Sequence, residues 1–287
     1  MAESRATPRA GQEWGVRPAD LGRRLDGLYE KYDHRFVDPD PLQFVRAQKT
    51  GADREVVGLL ASSLAYGNVV QIKRSIAAVL DVLGPRPAEA VRALDPGEAT
   101  RRLARFRHRF NTGRDVACLL FFARQALASH GSLEAFFAAG HDPSAPDVGP
   151  ALASFSARML ALDHGGLYRG RRLPPRAVVR FFFPSPRDGS ACKRLNLYLR
   201  WMVRRVGVDL GVWKAVAPRA LVMPLDAHVY TIARRVRLTR YKSPGWAMAA
   251  DITRRLRRFD PEDPVKYDFA LHRIGLWKRE GEIRSLL

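Results

Sequence analysis

The chain is poor in cysteine and has no long apolar run, and each shortage excludes a class of protein. Its two cysteines, Cys118 and Cys192, are too few for a disulfide framework or for the four thiolates of an iron–sulfur cluster. No apolar run approaches the roughly 20 residues that cross a bilayer, and residues 1–18 lack the apolar centre of a signal peptide. We therefore expect a cytoplasmic protein with no membrane partner.

Acidic residues are scarce as well, because 29 of them stand against 49 basic residues and leave a formal charge of +20. Such an excess favours a polyanionic partner, since each neutralised phosphate releases counterions. Nucleic acid is the leading candidate, and a nucleoid-associated location follows from it. Arginine supplies 41 of the basic residues and lysine eight, a bias that GC-rich coding can produce without any function. The charge therefore needs support from motifs.

The hydrophobic pattern predicts an all-α protein with two helical lobes around a central cleft. Residues 1–18 are rich in Ala, Arg, Gly and Pro without periodicity, which is typical of a flexible basic tail. From 53 to 83 apolar residues recur at helical spacing, interrupted at Tyr66-Gly67-Asn68, so two helices are expected there. The run at 178–183 indicates either a strand or the end of a buried helix. Further helices are predicted at about 97–110, 114–129, 150–162, 190–206, 226–237, 244–259 and 263–276.

Two polar residues at predicted helix starts carry the most chemical information. Lys193 follows the turn Gly189-Ser-Ala-Cys, and Asp226 follows Met223-Pro-Leu. An amine that forms a Schiff base and a carboxylate that stabilises developing positive charge would together make a base-excision site. Taken alone, each has an ordinary interpretation: Asp226 is typical of a helix N-cap, and the basic face around Lys193 is typical of a hydrated surface.

Helical geometry brings four residues close to the face of Lys193, namely Asn196, Leu197, Arg200 and Arg204. Guanidinium groups near an amine disfavour a second positive charge, so they are expected to lower the pKa of Lys193 and increase its nucleophilic free fraction. The same groups would equally hold phosphates.

Three segments resemble the helix-hairpin-helix DNA glycosylase superfamily, which includes endonuclease III and the 8-oxoguanine glycosylases. The segment from Met223 to Arg235 is similar to the one that carries the catalytic aspartate, which matches Asp226. Gly189-Ser-Ala-Cys-Lys193 is similar to the hairpin Gly-Val-Gly-x-Lys, whose lysine is the Schiff-base nucleophile. The segment from Leu60 to Ile72 resembles one that penetrates the duplex and approaches the flipped base. The resemblance implies a glycosylase-like domain over residues 19–287, with its hairpin near 184–194.

The chain also departs from that pattern. Ala191 stands where the second hairpin glycine is expected, and Lys193 and Asp226 are further apart than in endonuclease III. The longer spacing resembles the archaeal 8-oxoguanine glycosylase subgroup, which likewise has no cluster. From about residue 20 onward the chain resembles an uncharacterised bacterial family, domain of unknown function 2400 (DUF2400), through Cys192-Lys-Arg-Leu-Asn196, Leu199-Arg-Trp-Met-Val-Arg204 and Asp263-Pro-Val-Lys-Tyr-Asp-Phe269.

These motifs yield a set of expected site residues. Lys193 and Asp226 are expected to be catalytic. Residues expected to contact DNA are Gly189, Arg194, Arg200, Arg204, Arg205 and Tyr66, the last filling the space left by a flipped nucleotide. Residues expected in a base pocket are Asn68, Trp201, His228, Tyr267, Asp268 and His272, with Phe269 and Trp277 as further aromatic candidates. Aromatics at this spacing are also typical of a core.

The sequence therefore predicts a DNA glycosylase with abasic-site lyase activity, acting as a monomer on double-stranded DNA that contains a damaged base or an abasic site. The resemblance to the archaeal subgroup favours oxidised guanine as the excised base. No spacing suggests a metal site, and no cofactor is expected. Two alternatives stay open: a structure-specific DNA-binding protein without catalysis, and an RNA-directed protein that uses the same basic surface.

Overall fold

The fold is all-α, as the sequence predicts. A computed structural model describes residues 18–287, and within that range it contains fourteen α-helices and one pair of two-residue strands. The elements are α1 (Pro18–Lys31), α2 (Leu42–Arg46), α3 (Gly51–Ser63), α4 (Val69–Leu83), α5 (Pro87–Arg92), α6 (Pro96–Arg102), β1 (Arg107–His108), β2 (Asn111–Thr112), α7 (Gly113–His130), α8 (Leu133–Ala138), α9 (Gly149–Ala161), α10 (Lys193–Val203), α11 (Ala227–Arg235), α12 (Trp246–Leu256), α13 (Asp268–Leu276) and α14 (Glu280–Ser285).

Short 3-10 helices complete the described chain at His34–Phe36, Val178–Phe182, Pro186–Asp188 and Pro218–Ala220. The run expected to be a strand or a helix end at 178–183 is therefore a 3-10 helix, which ends just before Pro184. The predicted tail of residues 1–18 lies outside the described residues except for Pro18, which begins α1 and so does not belong to a tail. No helix in the described part of the chain combines the length and apolar character needed to cross a bilayer.

The interruption at Tyr66-Gly67-Asn68 separates α3 from α4, which confirms the predicted split. Gly67 has φ +92°, a conformation that few other residues adopt, so the helix cannot continue through it. Asn68 then caps α4, because its side-chain oxygen accepts a hydrogen bond from the backbone nitrogen of Val70 at 2.9 Å. This turn lies at the functional site described below.

The predicted helix at 97–110 is wrong in its second half. After α6 ends at Arg102, the chain forms a β-hairpin in which Arg107 pairs with Thr112 and His108 with Asn111. Arg109 in the turn has φ +56°, which no α-helix accommodates. Long-range contacts hold the hairpin in place, because the His108 ring bonds to Ser75 and to the backbone oxygen of Tyr66. Tertiary packing overrides the local helical pattern here.

Helix α3 is the buried centre of the molecule and packs against α2, α5 and α10. Gly58 lets α3 and α10 approach closely, because a Cβ at this position would lie 3.0 Å from atoms of both Met202 and Tyr198. Glu55, also on α3, accepts hydrogen bonds from the backbone nitrogen of Glu134 at 2.8 Å and from the Trp213 indole at 2.7 Å. Burial raises the pKa of the Glu55 carboxyl. The close approach at Gly58, together with the hydrogen bond from the Tyr198 hydroxyl to the backbone oxygen of Glu55, holds α10, which begins at Lys193, against α3.

Candidate functional site

A cavity of about 640 Å³ opens where the loop before α2 and the turn between α3 and α4 meet helices α10, α11 and α13. Its polar lining is unusually rich in charged groups of both signs. The polar and aromatic side chains around it belong to Asp40, Tyr66, Asn68, Lys193, Arg194, Arg200, Asp226, His228, Asp268, Phe269, His272 and Arg273. Lys193 and Asp226, which lie far apart in the chain, thus line the same cavity.

Lys193 is the first residue of α10 and is half-buried. Its Nζ donates a hydrogen bond to the backbone oxygen of Ala65 at 2.9 Å, which directs the amine toward the end of α3. Burial lowers the pKa of Lys193, since the charged form loses hydration, while the nearby carboxylates of Asp226, Asp40 and Asp268 partly oppose the shift. A lowered pKa increases the fraction of free amine, which is the form that attacks carbon.

The direction of this pKa shift agrees with the sequence-based expectation, but the cause differs. Neighbouring guanidinium groups were expected to dominate, whereas burial is the largest cause and the repulsion from Arg194 is a smaller one. Arg200 and Arg204 have buried carboxylate partners that neutralise their charge, as described below.

Asp226 is the N-cap of α11, and its two carboxylate oxygens have separate roles. Oδ1 accepts hydrogen bonds from the backbone nitrogens of His228 at 2.9 Å and Val229 at 2.8 Å. Oδ2 lies 3.2 Å from Nε2 of His272. The capping role considered from the sequence is therefore real, and it leaves the second oxygen at the cavity wall. The cap therefore uses one carboxylate oxygen and leaves the other free to act in the cavity.

His272 bridges Asp226 to Arg273. Nη1 of Arg273 lies 3.2 Å from Nδ1 of His272, and because a guanidinium group only donates, Nδ1 must be the accepting nitrogen. The proton of the neutral ring is then on Nε2, which donates it to Oδ2 of Asp226. Burial lowers the pKa of His272 to about 4, so the ring is neutral at pH 7. The histidine fixes the orientation of the Asp226 carboxylate.

We expect this histidine to make stability depend on pH. The unfolded chain protonates His272 near its ordinary pKa of 6.5 and the folded chain near 4, so the unfolded state binds more protons between these values. Stability is therefore lost as the pH falls from 6.5 through 4. His272→Gln lacks this titration, so the stability difference between the native protein and the variant should shift by about 3 kcal/mol in favour of the variant between pH 7 and pH 4.

Urea unfolding of both proteins across that pH range measures the difference, and His272→Asn should give the same slope. A stability difference that stays constant with pH would show that His272 is not buried in its neutral form.

Asp40 and Arg273 are two cavity residues that the sequence-based reasoning missed. Asp40 is buried and accepts hydrogen bonds from the backbone nitrogen of Leu42 at 3.0 Å and from Arg273 Nη2 at 3.2 Å. The Arg273 guanidinium holds the pKa of the Asp40 carboxyl below its ordinary value, against the opposing effect of burial. The alternating Asp-Pro-Asp-Pro segment that ends at Pro41 is a turn signal, but nothing local indicates that it meets α13.

Arg200, at the cavity wall, and Arg204 are enclosed and paired with carboxylates, which corrects their assignment as DNA-binding residues. Both side chains are almost fully buried and form a network with carboxylates. Asp209 bonds to both guanidinium groups, and Arg204 reaches Asp263 at 2.8 Å through Nε. Groups that are paired and enclosed in this way cannot grip a phosphate backbone.

Asp268, which the sequence suggested for a base pocket, belongs to the same network through its ion pair with Arg200 and also lines the cavity. Burial raises the pKa of Asp268 to about 6, although the Arg200 guanidinium opposes the rise. The network therefore reaches the cavity through Arg200 and Asp268 and joins α10 to the start of α13.

Arg194 and Tyr66 line the cavity but are held by other groups. Arg194 donates to the backbone oxygens of Ser63 and Phe181, and burial lowers its pKa to about 10. The Tyr66 hydroxyl contacts the Asn111 side chain and the backbone oxygen of His108, and burial raises its pKa to about 12.

The remaining expected contacts divide between surface and core. Gly189 and Arg205 are exposed, but neither lines the cavity. Gly189 has φ +74° and ends the 3-10 helix that precedes α10. Asn68 and His228 line the cavity, and His228 packs edge-on against His272. Trp201 and Tyr267 are fully buried away from it, so their base-pocket assignment is wrong, and the alternative of core aromatics holds for them.

A comparison with protein-family models gives one finding. A family described as "Protein of unknown function (DUF2400)" matches residues 40–277, a range that includes every cavity residue named above. Comparison with curated proteins and with solved structures gives no match.

Proposed function

The chain belongs to the DUF2400 family, and we propose that it is a DNA glycosylase with abasic-site lyase activity. The observation that carries the proposal is that Lys193 and Asp226, from separate helices, line one cavity in which burial lowers the pKa of the lysine. A site with a titratable nucleophile, a second charged group and a cavity of several hundred Å³ is typical of an active site. We propose a helix-hairpin-helix glycosylase-like fold with Gly189 at its hairpin.

The proposed chemistry begins with the departure of the base. The bond between C1′ and the base nitrogen breaks, the base leaves with the bonding electrons and takes up a proton, and positive charge develops on the sugar. The carboxylate of Asp226 stabilises that charge, and His272 keeps the carboxylate oriented toward the cavity. Removal of a stabilising group of this kind typically slows catalysis by about 10²- to 10³-fold.

Lys193 then supplies the nucleophile. Its free amine adds to C1′, the C1′–O4′ bond opens with transfer of a proton to O4′, and the nitrogen loses a proton to leave a protonated imine. Loss of a proton from C2′ then expels the 3′ phosphate with the electrons of its C–O bond, which cuts the strand by β-elimination. The imine is reducible, so borohydride would convert it to a permanent amine between protein and DNA.

The damaged base must enter the cavity, and its charged lining supports recognition by hydrogen bonds. The Asp268 carboxyl lines the cavity and is a polar group that a base edge could contact. His228 and Phe269 line the same space and supply further polar and stacking surface. We propose double-stranded DNA with a damaged base as the substrate and oxidised guanine as the first lesion to examine.

Borohydride trapping with the native protein tests the proposal. We expect a covalent complex with a duplex that contains an abasic site, and cleavage of the same strand when borohydride is omitted. Binding without an adduct would assign the chain to non-catalytic DNA-binding proteins. Preferential competition by structured RNA at matched salt would support the RNA-directed alternative, because charge alone serves either polymer.

A further inference from the structure

Two phenylalanines beside the cavity are exposed. Phe110 is 53% exposed and Phe181 is 37% exposed, and their ring centroids are 4.6 Å apart. Both rings also contact Tyr66, at 5.7 Å and 4.9 Å between centroids, and Tyr66 lines the cavity. Isolated exposed apolar residues are common, but an adjoining pair beside a cavity indicates a binding surface. We call Phe110 and Phe181 the aromatic pair.

The hairpin that carries Phe110 is anchored on both sides. The buried His108 ring bonds to Ser75 on α4 at 2.9 Å, and the Tyr66 hydroxyl bonds to the hairpin at His108 and Asn111. With His108 paired to Asn111, residues Arg109 and Phe110 form the tip of the turn. The exposure of Phe110 is therefore a fixed feature of the hairpin, because the anchored backbone gives its ring no route into the core.

Cationic groups surround the aromatic pair. The Arg194 guanidinium lies 3.6 Å from the centroid of Phe181, and the Arg109 side chain passes over Gly67 at the cavity rim. The segment around the hairpin carries exposed arginines without an exposed acidic residue among them, at Arg101, Arg102, Arg105, Arg107, Arg109 and Arg114. An exposed aromatic surface bordered by cations fits bases with flanking phosphates better than it fits an apolar protein surface.

We infer that the aromatic pair stacks on DNA bases beside the cavity, with Phe110 filling the gap that a nucleotide leaves when it turns out of the duplex. The choice of DNA rests on the proposed function, while the stacking surface rests on its own geometry. Apolar side chains that enter a base step compensate for the lost stacking of the displaced nucleotide. Phe110 takes the role that the sequence suggested for Tyr66, whose half-buried ring supports the pair from below.

Equilibrium binding to two duplexes tests this inference without any chemistry. One duplex contains a tetrahydrofuran abasic analogue, which has no aldehyde and cannot react with Lys193, and the other is intact. We expect the native protein to prefer the analogue, and Phe110→Ala to bind it roughly tenfold more weakly while binding the intact duplex within about twofold of native. Phe110→Trp should keep the native preference for the analogue, because the larger indole ring can also stack on a base.

Two controls separate stacking from other effects. Tyr241→Ala removes an aromatic side chain that is 48% exposed and does not line the cavity, so it should leave both affinities unchanged. Arg109→Gln should lower the affinity for both duplexes by a similar factor, since a phosphate contact does not distinguish between them.

Equal binding of Phe110→Ala and native protein to the analogue would overturn the inference, as would the absence of any preference in the native protein. Self-association that Phe110→Ala abolishes, with DNA affinity unchanged, would assign the pair to a protein contact instead. Failure of borohydride trapping with the expected binding pattern would reject the lyase and leave the stacking surface in place.

Discussion

Lys193→Gln is expected to reduce covalent trapping on abasic-site DNA to an undetectable level, at least about 10³-fold below native. An amide nitrogen has no basic lone pair, so it cannot add to C1′ or form an imine. The substitution keeps a polar, somewhat shorter side chain whose amide is a donor that points toward the backbone oxygen of Ala65, which Lys193 contacts at 2.9 Å. The fold and DNA affinity should therefore be retained. Gel quantification of the reduced complex measures the loss.

A matched lysine controls for nonspecific reaction with the aldehyde. Lys242 is exposed and does not line the cavity, so Lys242→Gln should trap as efficiently as the native protein. If Lys193→Gln still formed the adduct, another amine would be the nucleophile. Thermal unfolding of both variants shows whether a loss reflects chemistry or folding.

Asp226→Asn is expected to slow base release by about 10²- to 10³-fold while leaving trapping at a preformed abasic site nearly intact. Asparagine is also a strong N-cap, so the contacts to the backbone nitrogens of His228 and Val229 should survive. What is lost is the negative charge that opposes charge developing on the sugar. An abasic site has already lost its base, so imine formation there does not need that charge.

The electrostatics of the cavity sharpen this expectation. Asp226 is the largest of the attractive influences that oppose the lowered pKa of Lys193, so its neutralisation should lower that pKa further and increase the free amine. Trapping by Asp226→Asn at neutral pH should therefore equal or exceed that of the native protein. Base release is measured on a duplex with 8-oxoguanine and then on a panel of single lesions. Equal loss of base release and of trapping would contradict separate roles for the two residues.

Helical periodicity predicted most of the fold because its signals are local. The split between α3 and α4 follows from Gly67 and the cap at Asn68, and both signals are readable in the sequence. The β-hairpin beyond α6 was missed because its register depends on contacts of His108 with α4 and with Tyr66, which no local pattern reveals. The 3-10 helix at Val178–Phe182 was likewise not predicted, since a short apolar run does not distinguish between strand and helix.

In the site, too, local signals were predicted and features that depend on tertiary contacts were missed. Lys193 and Asp226 were identified because each follows a turn and resembles a known motif, and the structure brings them to one cavity. Arg200 and Arg204 were assigned to the surface because helical geometry gives the face of a residue but not what covers it. Asp209 and Asp263, which lie in segments between helices, cover that face and pair with the arginines. The burial of an arginine by carboxylates that are distant in sequence depends on tertiary contacts, which a local pattern does not show.

The aromatic residues show that residue type alone does not distinguish a core residue from an exposed one. Trp201 and Tyr267 are indistinguishable by type from a base-stacking residue, yet both are core residues with no exposed surface. Phe110 stands at the end of the segment predicted to be a helix, carries no motif signal, and is exposed. An exposed aromatic residue is informative only when its surroundings are known, because burial of an aromatic ring is the usual outcome.

The central claim is that the amine of Lys193 attacks the sugar, and locating the covalent bond tests it most directly. The native protein is incubated with abasic-site duplex and borohydride, digested with protease and nuclease, and mapped by tandem mass spectrometry. We expect the mass of the reduced sugar on the peptide that contains Lys193 and on no other lysine. An adduct on the terminal amine or on another lysine, or no adduct at all, would contradict the claim.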